Sequence, residues 1–141
     1  MASGNKFQKF AAYMPNGAVN LSGDTVKIML TNTAPVATNS VYGDISGTET
    51  ANGNGYTTGG NTCTLTSSTQ TSGTYTYKAA SPSTWTATGN MGAFRYAVMY
   101  DSSASTKALI GWWDYGSTLN LTNTQTFTIT LDSTNGVFQL S

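Results

Sequence analysis

The sequence has no histidine, one cysteine, three prolines and little charge: six Lys and Arg against six Asp and Glu, 9% of its 141 residues. Each shortage closes a class of function. Without an imidazole there is no His-ligated metal, no Ser-His-Asp or Cys-His arrangement, and no side chain whose unperturbed titration falls near neutral pH. Cys63 alone can form no internal disulfide and offers no metal-ligand spacing, so it reads as a small apolar strand residue, and nothing asks for an oxidising compartment. Nucleic-acid affinity rests on clustered cations. Lys6, Lys9, Lys27, Lys78, Arg95 and Lys107 are scattered along a chain of zero net charge, which argues against DNA, RNA and anionic membranes alike. No apolar run approaches the ~18 residues of a transmembrane helix. The start, Met1-Ala-Ser-Gly-Asn-Lys-Phe7, lacks the apolar stretch of a signal peptide. The expectation is a soluble chain kept in the cytoplasm or carried in something assembled there, in which the sequon-like Asn20-Leu-Ser22 and Asn120-Leu-Thr122 have no meaning.

Against these absences stands a hydrophobic content of 38%, with three Trp, eight Tyr and five Phe, enough to build a core. The polar remainder is Thr, Ser, Asn and Gly in place of Lys and Glu, which favours strands and tight turns over long surface helices. A chain of 141 residues is one ordinary domain.

Along the chain, Phe7, Phe10, Ala11 and Met14 fall at helical spacing before the Pro15-Asn16-Gly17 turn, predicting a short helix or a docking arm over residues 1–17. The β-sandwich domain then occupies residues 18–141. Thr25–Thr31 alternates, with Val26, Ile28 and Leu30 on one face and Lys27, Met29 and Thr31 on the other, the period of a half-buried strand. Pro35, Asn52-Gly-Asn-Gly55 and Gly59-Gly60 mark residues 32–60 as turns and extended, variable surface. Thr62–Thr66 and Gly73–Lys78 read as strands joined across Ser67–Ser72, followed by Ser83–Ala87 after Pro82. The strongest signal is Ala93–Tyr100, which sets Phe94, Tyr96, Val98 and Tyr100 against Arg95, Ala97 and Met99; Lys107–Gly116 is its hairpin partner, with Trp112 and Trp113 pointing to opposite faces. Phe127, Ile129 and Leu131 point inward from Thr124–Leu131, and Val137–Leu140 ends the chain in a strand. About eight short strands with turns between them predict an all-β fold, a single antiparallel two-sheet sandwich of jelly-roll or Ig-like type.

Little in this inventory carries chemistry. Asp24, Asp44, Glu49, Asp101, Asp114 and Asp132 formally permit a carboxylate pair, but most sit where Asp bonds the backbone of a turn. Asp114 lies between Trp113 and Tyr115 and is expected to accept hydrogen bonds from the neighbouring turn or from Arg95. Asn52–Gly60 resembles a phosphate loop only in its glycines, since no Lys-Ser/Thr follows. Trp85, Trp112 and Trp113 suit a core poor in Leu and Ile; the alternatives for them are a protein interface or a sugar-stacking platform. The expectation is therefore no catalytic residue, no bound metal and no cofactor. A surface of short hydroxylated and amide side chains loses little entropy when it orders against a neighbour, which suits assembly, while the lack of edge charges means strand edges must be covered.

Lys6-Phe-Gln-Lys-Phe10, Asp24–Pro35, Gly53-Asn-Gly-Tyr-Thr-Thr-Gly-Gly60, Phe94–Tyr100, Leu109–Gly116 and the terminal Phe-Thr-Ile-Thr-Leu before Asn135-Gly136 together resemble a family of small virion proteins of tailed bacteriophages, over nearly the whole chain. The resemblance implies a non-enzymatic structural protein of capsid decoration or cement type on the capsid exterior, with the major capsid protein as partner and a dimer or trimer as its own state. On that reading Phe7, Phe10 and Tyr13 of the arm, with Val36, Val41, Tyr42 and Tyr56 of the 35–60 loop, would contact neighbouring subunits. The alternative is a tail or tail-fibre protein, or a glycan- or receptor-binding module using Trp85 or Trp112 as an aromatic platform.

Overall fold

The computed structural model describes residues 4–141 as an all-β protein in which every strand pairing is antiparallel. Ten strands occur in chain order: β1 (Asn5–Lys6), β2 (Val26–Thr31), β3 (Asn61–Cys63), β4 (Leu65–Thr71), β5 (Thr74–Ala79), β6 (Trp85–Thr86), β7 (Met91–Asp101), β8 (Leu109–Leu121), β9 (Thr126–Phe127) and β10 (Phe138–Leu140). One short helix, α1 (Phe10–Tyr13), interrupts them. A five-stranded sheet in the order β1-β8-β7-β2-β3 faces a three-stranded sheet β10-β5-β4 and the small pair β6-β9. The count exceeds eight because the two-residue β1 lies within the expected arm and because the expected Thr62–Thr66 strand divides at Thr64 into β3 and β4.

The main core lies between the sheets. Val26, Ile28 and Leu30 of β2 and Met91, Ala97 and Met99 of β7 meet Tyr77 and Ala79 of β5 and Trp85 of β6. Aromatics fill the interior as the composition predicts: Tyr77 stacks on Phe138 at 5.2 Å, Phe10 meets the same ring edge-on at 5.2 Å, and Phe94 meets Phe127 edge-on at 5.0 Å. Thr64 carries the chain from β3 in one sheet to β4 in the other, and its carbonyl accepts from Ala80 N at 2.7 Å. Cys63 is buried there as a small apolar residue, and burial pushes its thiol up to about 12, so it is unreactive.

A second cluster covers the opposite face of the large sheet, and three expectations change because of it. Phe7, Met29, Ile45, Val98, Tyr100 and Leu109 form this layer beneath the 32–60 segment. That segment is therefore not free surface: two single 3₁₀ turns, Tyr42–Asp44 and Ser46–Thr48, seat Ile45 against the sheet, and Thr50 is buried beside it. Its glycines are structural; Gly60 (φ +77°) packs so closely on β2 that a Cβ would overlap the Ile28 carbonyl. Met29 and Thr31 are buried although the alternation places them outside, since both faces of β2 are covered. The described part of the expected arm, residues 4–17, belongs to the domain: β1 pairs with Gly111 and Trp112 of β8, Phe7 is 0% exposed and Phe10 1%.

In β7 the pairing register with β8 jumps on either side of Phe94. At these irregularities the face switches, so Phe94 joins Ala97 and Met99 in the main core while Tyr96, Val98 and Tyr100 face the second cluster. The Ser67–Ser72 stretch, expected as a connection, is mostly strand; only Ser72 and Gly73 turn between β4 and β5.

Candidate interaction surfaces

Three arrangements of polar and aromatic side chains stand out. The first centres on Glu49. Its carboxylate accepts from the Tyr42 hydroxyl, from the Tyr56 hydroxyl at 2.7 Å and from Gly59 N at 2.6 Å. Tyr56 Oη in turn accepts from Leu30 N at 3.1 Å, and Tyr100 donates to the Gly59 carbonyl at 2.8 Å. Burial first, and the neighbouring Glu49 charge second, raise the phenols: Tyr42 and Tyr56 well above the ordinary tyrosine range, Tyr100 to about 12. Phenols held protonated around one carboxylate are donors, not bases, so the arrangement clamps the 42–60 segment onto β2 and β7. Lys107 Nζ lies 5.1 Å from the Tyr42 ring centre and closes the outer side.

A second arrangement joins Asp24 and Asp101 at the end of β2 and β7. Asp101 is 0% exposed; its Oδ1 accepts from Ser103 N (2.9 Å) and Ala104 N (3.1 Å), whereas its Oδ2 finds no donor among the described residues. Thr25 N donates to Ser103 Oγ, and the Thr25 carbonyl accepts from Ser102 N, stapling the 101–104 turn beside Asp24. Burial, then the Asp24 carboxyl within hydrogen-bonding range, pushes Asp101 up to about 6. A protonated Asp101 is placed to donate to the Asp24 carboxyl. Among the described residues no group of three or more His, Cys, Asp or Glu is placed to hold a metal.

A third arrangement is open to solvent. Trp113 and Leu131 line two adjoining cavities of about 410 and 360 Å³ at the side of the sandwich where β1 and β8 face β10. The smaller is walled by Tyr96, Trp113, Tyr115, Phe127 and Ile129, and Tyr115 is 56% exposed. Arg95 grips Asp114 with two parallel bonds, Nε to Oδ1 at 2.7 Å and Nη2 to Oδ2 at 2.9 Å, and Gly116 N donates to Oδ1 at 2.8 Å. Both expected partners of Asp114 are thus present, and the Arg95 hydrogen bond holds the carboxyl below the usual carboxylate range.

No protein family, curated protein or solved structure matches the chain.

The candidate contact residues separate by burial. Phe7, Phe10 and Tyr56 are core side chains and offer no surface to a partner, a correction that follows from the second cluster for Phe7 and from the main core for Phe10 and Tyr56. Tyr13 is half-buried against the main core, Val41 is half-buried and bridges to Ala108, and Tyr42 is half-buried with its hydroxyl committed to Glu49. Val36, at 54%, stays exposed. Trp85 is 2% exposed beneath Phe127 and cannot serve as a platform, and Trp112 is half-buried with its ring 4.4 Å from Phe7. Trp112 and Trp113 do face opposite layers, the second cluster and the main core. The exposed aromatic the sequence reading passed over is Tyr115; the signal for it was its place next to Asp114, where Gly116 (φ +100°) breaks the strand alternation.

Proposed function

We propose that this chain is a non-enzymatic structural protein of a tailed-phage virion, a decoration protein that binds the major capsid shell from outside and stabilises it. The observation that carries the reading is the character of the exposed strands. β4 and the second half of β8 are dressed in Thr, Ser, Gln and Asn with little charge, while the ordered core beneath them is closed on both faces of the large sheet. Such strands offer main-chain hydrogen bonds and short side chains with little entropy to lose, the properties of a subunit that adds many weak contacts to a shell. The sequence resemblance supplies the virion and the capsid as setting. Because Phe7, Phe10 and Tyr56 are core, the contact falls to exposed residues such as Val36 in the 32–60 segment. The test is co-sedimentation of the purified protein with capsid shells of the phage that encodes it. Saturable binding with raised shell melting temperature supports the reading, and unbound protein at saturating shell concentration overturns it.

A second reading, a glycan- or receptor-binding module of a tail fibre, is favoured by one feature: the groove that sets exposed Tyr115 beside Trp113 and the Arg95–Asp114 fork. Trp113 would report a sugar by fluorescence, so glycan-array binding with quenching that Tyr115→Ala abolishes selects this reading over the first.

A further inference from the structure

The three-stranded sheet ends on an edge that no described residue covers. β4 pairs with β5 alone, and no other main-chain group of the described residues bonds to its outer side. The pairing is set by a two-residue turn in which Ser72 (φ +50°) and Gly73 (φ +85°) connect Thr71 to Thr74 directly opposite. Two successive positive φ values make a type I′ hairpin, whose closing residues exchange both hydrogen bonds. Alternation from that point turns the N–H and C=O of Thr71, Thr69 and Ser67 toward β5. Those of Ser68 and Gln70 point away into solvent.

Natural edges are usually blunted by Lys, Pro, an inward charge or a bulge. Between Ser67 and Thr71 β4 has none of these; its one irregularity lies at Thr66, before the regular stretch. The other edges are short, charged or interrupted: β3 is three residues long and β6 and β9 two each. β1 is two residues long and carries Lys6, β10 is three residues long, and the outer half of β8 is broken where residues 115–118 bulge out between the Tyr96–Asp114 and Phe94–Leu119 pairs.

We propose that β4 is a homodimer interface in which two copies pair antiparallel across a two-fold axis at Thr69. This register satisfies every free group of the regular stretch: Ser68 exchanges bonds with Gln70 of the second copy and Gln70 with its Ser68, about four main-chain hydrogen bonds in all. Thr69 then faces its own counterpart at a non-hydrogen-bonded position on the exposed face, a favourable β-branched pair. A second copy fits better than a foreign strand because the segment is its own complement under the two-fold and brings no like charges together. The nearest charge, Lys78 opposite Ser67, sits on β5, so the two ammonium groups are at least three strand spacings, roughly 14 Å, apart, beyond the screening length at physiological salt. The result joins two three-stranded sheets into one continuous sheet, with β4 at its centre. Pairing one edge buries less than a standard interface, so the dimer is weak and concentration-dependent.

The test is the solution mass of the full chain by sedimentation equilibrium from about 1 µM to 1 mM, the range a weak interface spans. The wild type is expected to rise from 14.8 kDa toward twice that mass. Thr69→Lys, which sets two cations against each other on an otherwise exposed site, is expected to raise the dissociation constant about tenfold or more with an unchanged melting curve at low concentration. Thr69→Cys is expected to form a covalent dimer under mild oxidation, while Ser117→Cys, exposed on β8, does not in the same time. A wild type that stays at 14.8 kDa throughout, a Thr69→Lys variant as dimeric as wild type, or equal cross-linking of both cysteine variants overturns the proposal. A monomer that still binds capsid shells would overturn this interface alone, whereas a dimer that ignores them would overturn only the decoration reading.

Discussion

Asp101→Asn should stabilise the protein at neutral pH. The folded chain keeps a proton on Asp101 up to about pH 6, whereas an unfolded aspartate releases it near 3.8. Between those values the folded state binds a proton that the unfolded chain lacks, so stability falls as pH rises through the window and stays low above it. A shift of about two units, at about 1.4 kcal/mol each, makes the loss about 3 kcal/mol, or on the order of 10 °C in melting temperature for a domain of this size. An asparagine keeps the two acceptor bonds from Ser103 N and Ala104 N and offers Asp24 an amide donor in place of that proton. Urea unfolding of both proteins from pH 4 to pH 8 is the assay. Asp44, Asp114 and Asp132, whose carboxyls are held low by hydrogen bonds, work in the opposite direction, losing their contribution as pH falls below the ordinary range, and they cancel in the difference between variant and wild type. That difference should be near zero at pH 4 and grow to about 3 kcal/mol by pH 7. Parallel stability curves would refute a proton held on Asp101.

The remaining expectations are simpler. Phe10→Ala should cost about 3–5 kcal/mol in chemical unfolding, because its ring is 1% exposed against Phe138; a cost under about 1 kcal/mol would return the segment to the status of an arm. Glu49→Ala strips acceptors from two phenols and from Gly59 N, so hydrogen exchange of the 42–60 amides should accelerate, and total stability should drop by roughly 2–4 kcal/mol. Asp114→Asn breaks an ion pair whose partners are 37% and 39% exposed, so it should leave the melting temperature nearly unchanged, with the difference shrinking further in high salt.

The fold was legible where side-chain alternation was long and one-sided. β2, β7, the first half of β8 and the inward side chains at Phe127, Ile129 and Leu131 follow from period two alone. What escaped has a common cause, since alternation reports one buried face and this sheet is covered on both. The layer formed by Phe7, Ile45 and Tyr100 rests on a segment rich in Gly, Ser and Thr, whose composition says loop and whose few apolar residues are too dispersed to announce a core. The face switch at Phe94 depends on irregular pairing with β8, where residues 115–118 bulge out, and such a bulge of ordinary strand residues leaves no local signature. Of the candidate surfaces, the Arg95–Asp114 bond was readable from one strand facing its hairpin partner. The Glu49 clamp joins side chains from Tyr42 to Gly59 with main-chain groups of β2, contacts that no local pattern encodes.

The proposed role of this domain is to decorate a capsid shell. Cryo-electron microscopy of the virions of the phage that the proposal takes to encode it tests that directly. The account predicts density for a domain of 14.8 kDa repeated on the outer surface of the capsid lattice, with the Val36 side toward the shell. Density of this size confined to the tail, or missing from the virion altogether, would contradict it.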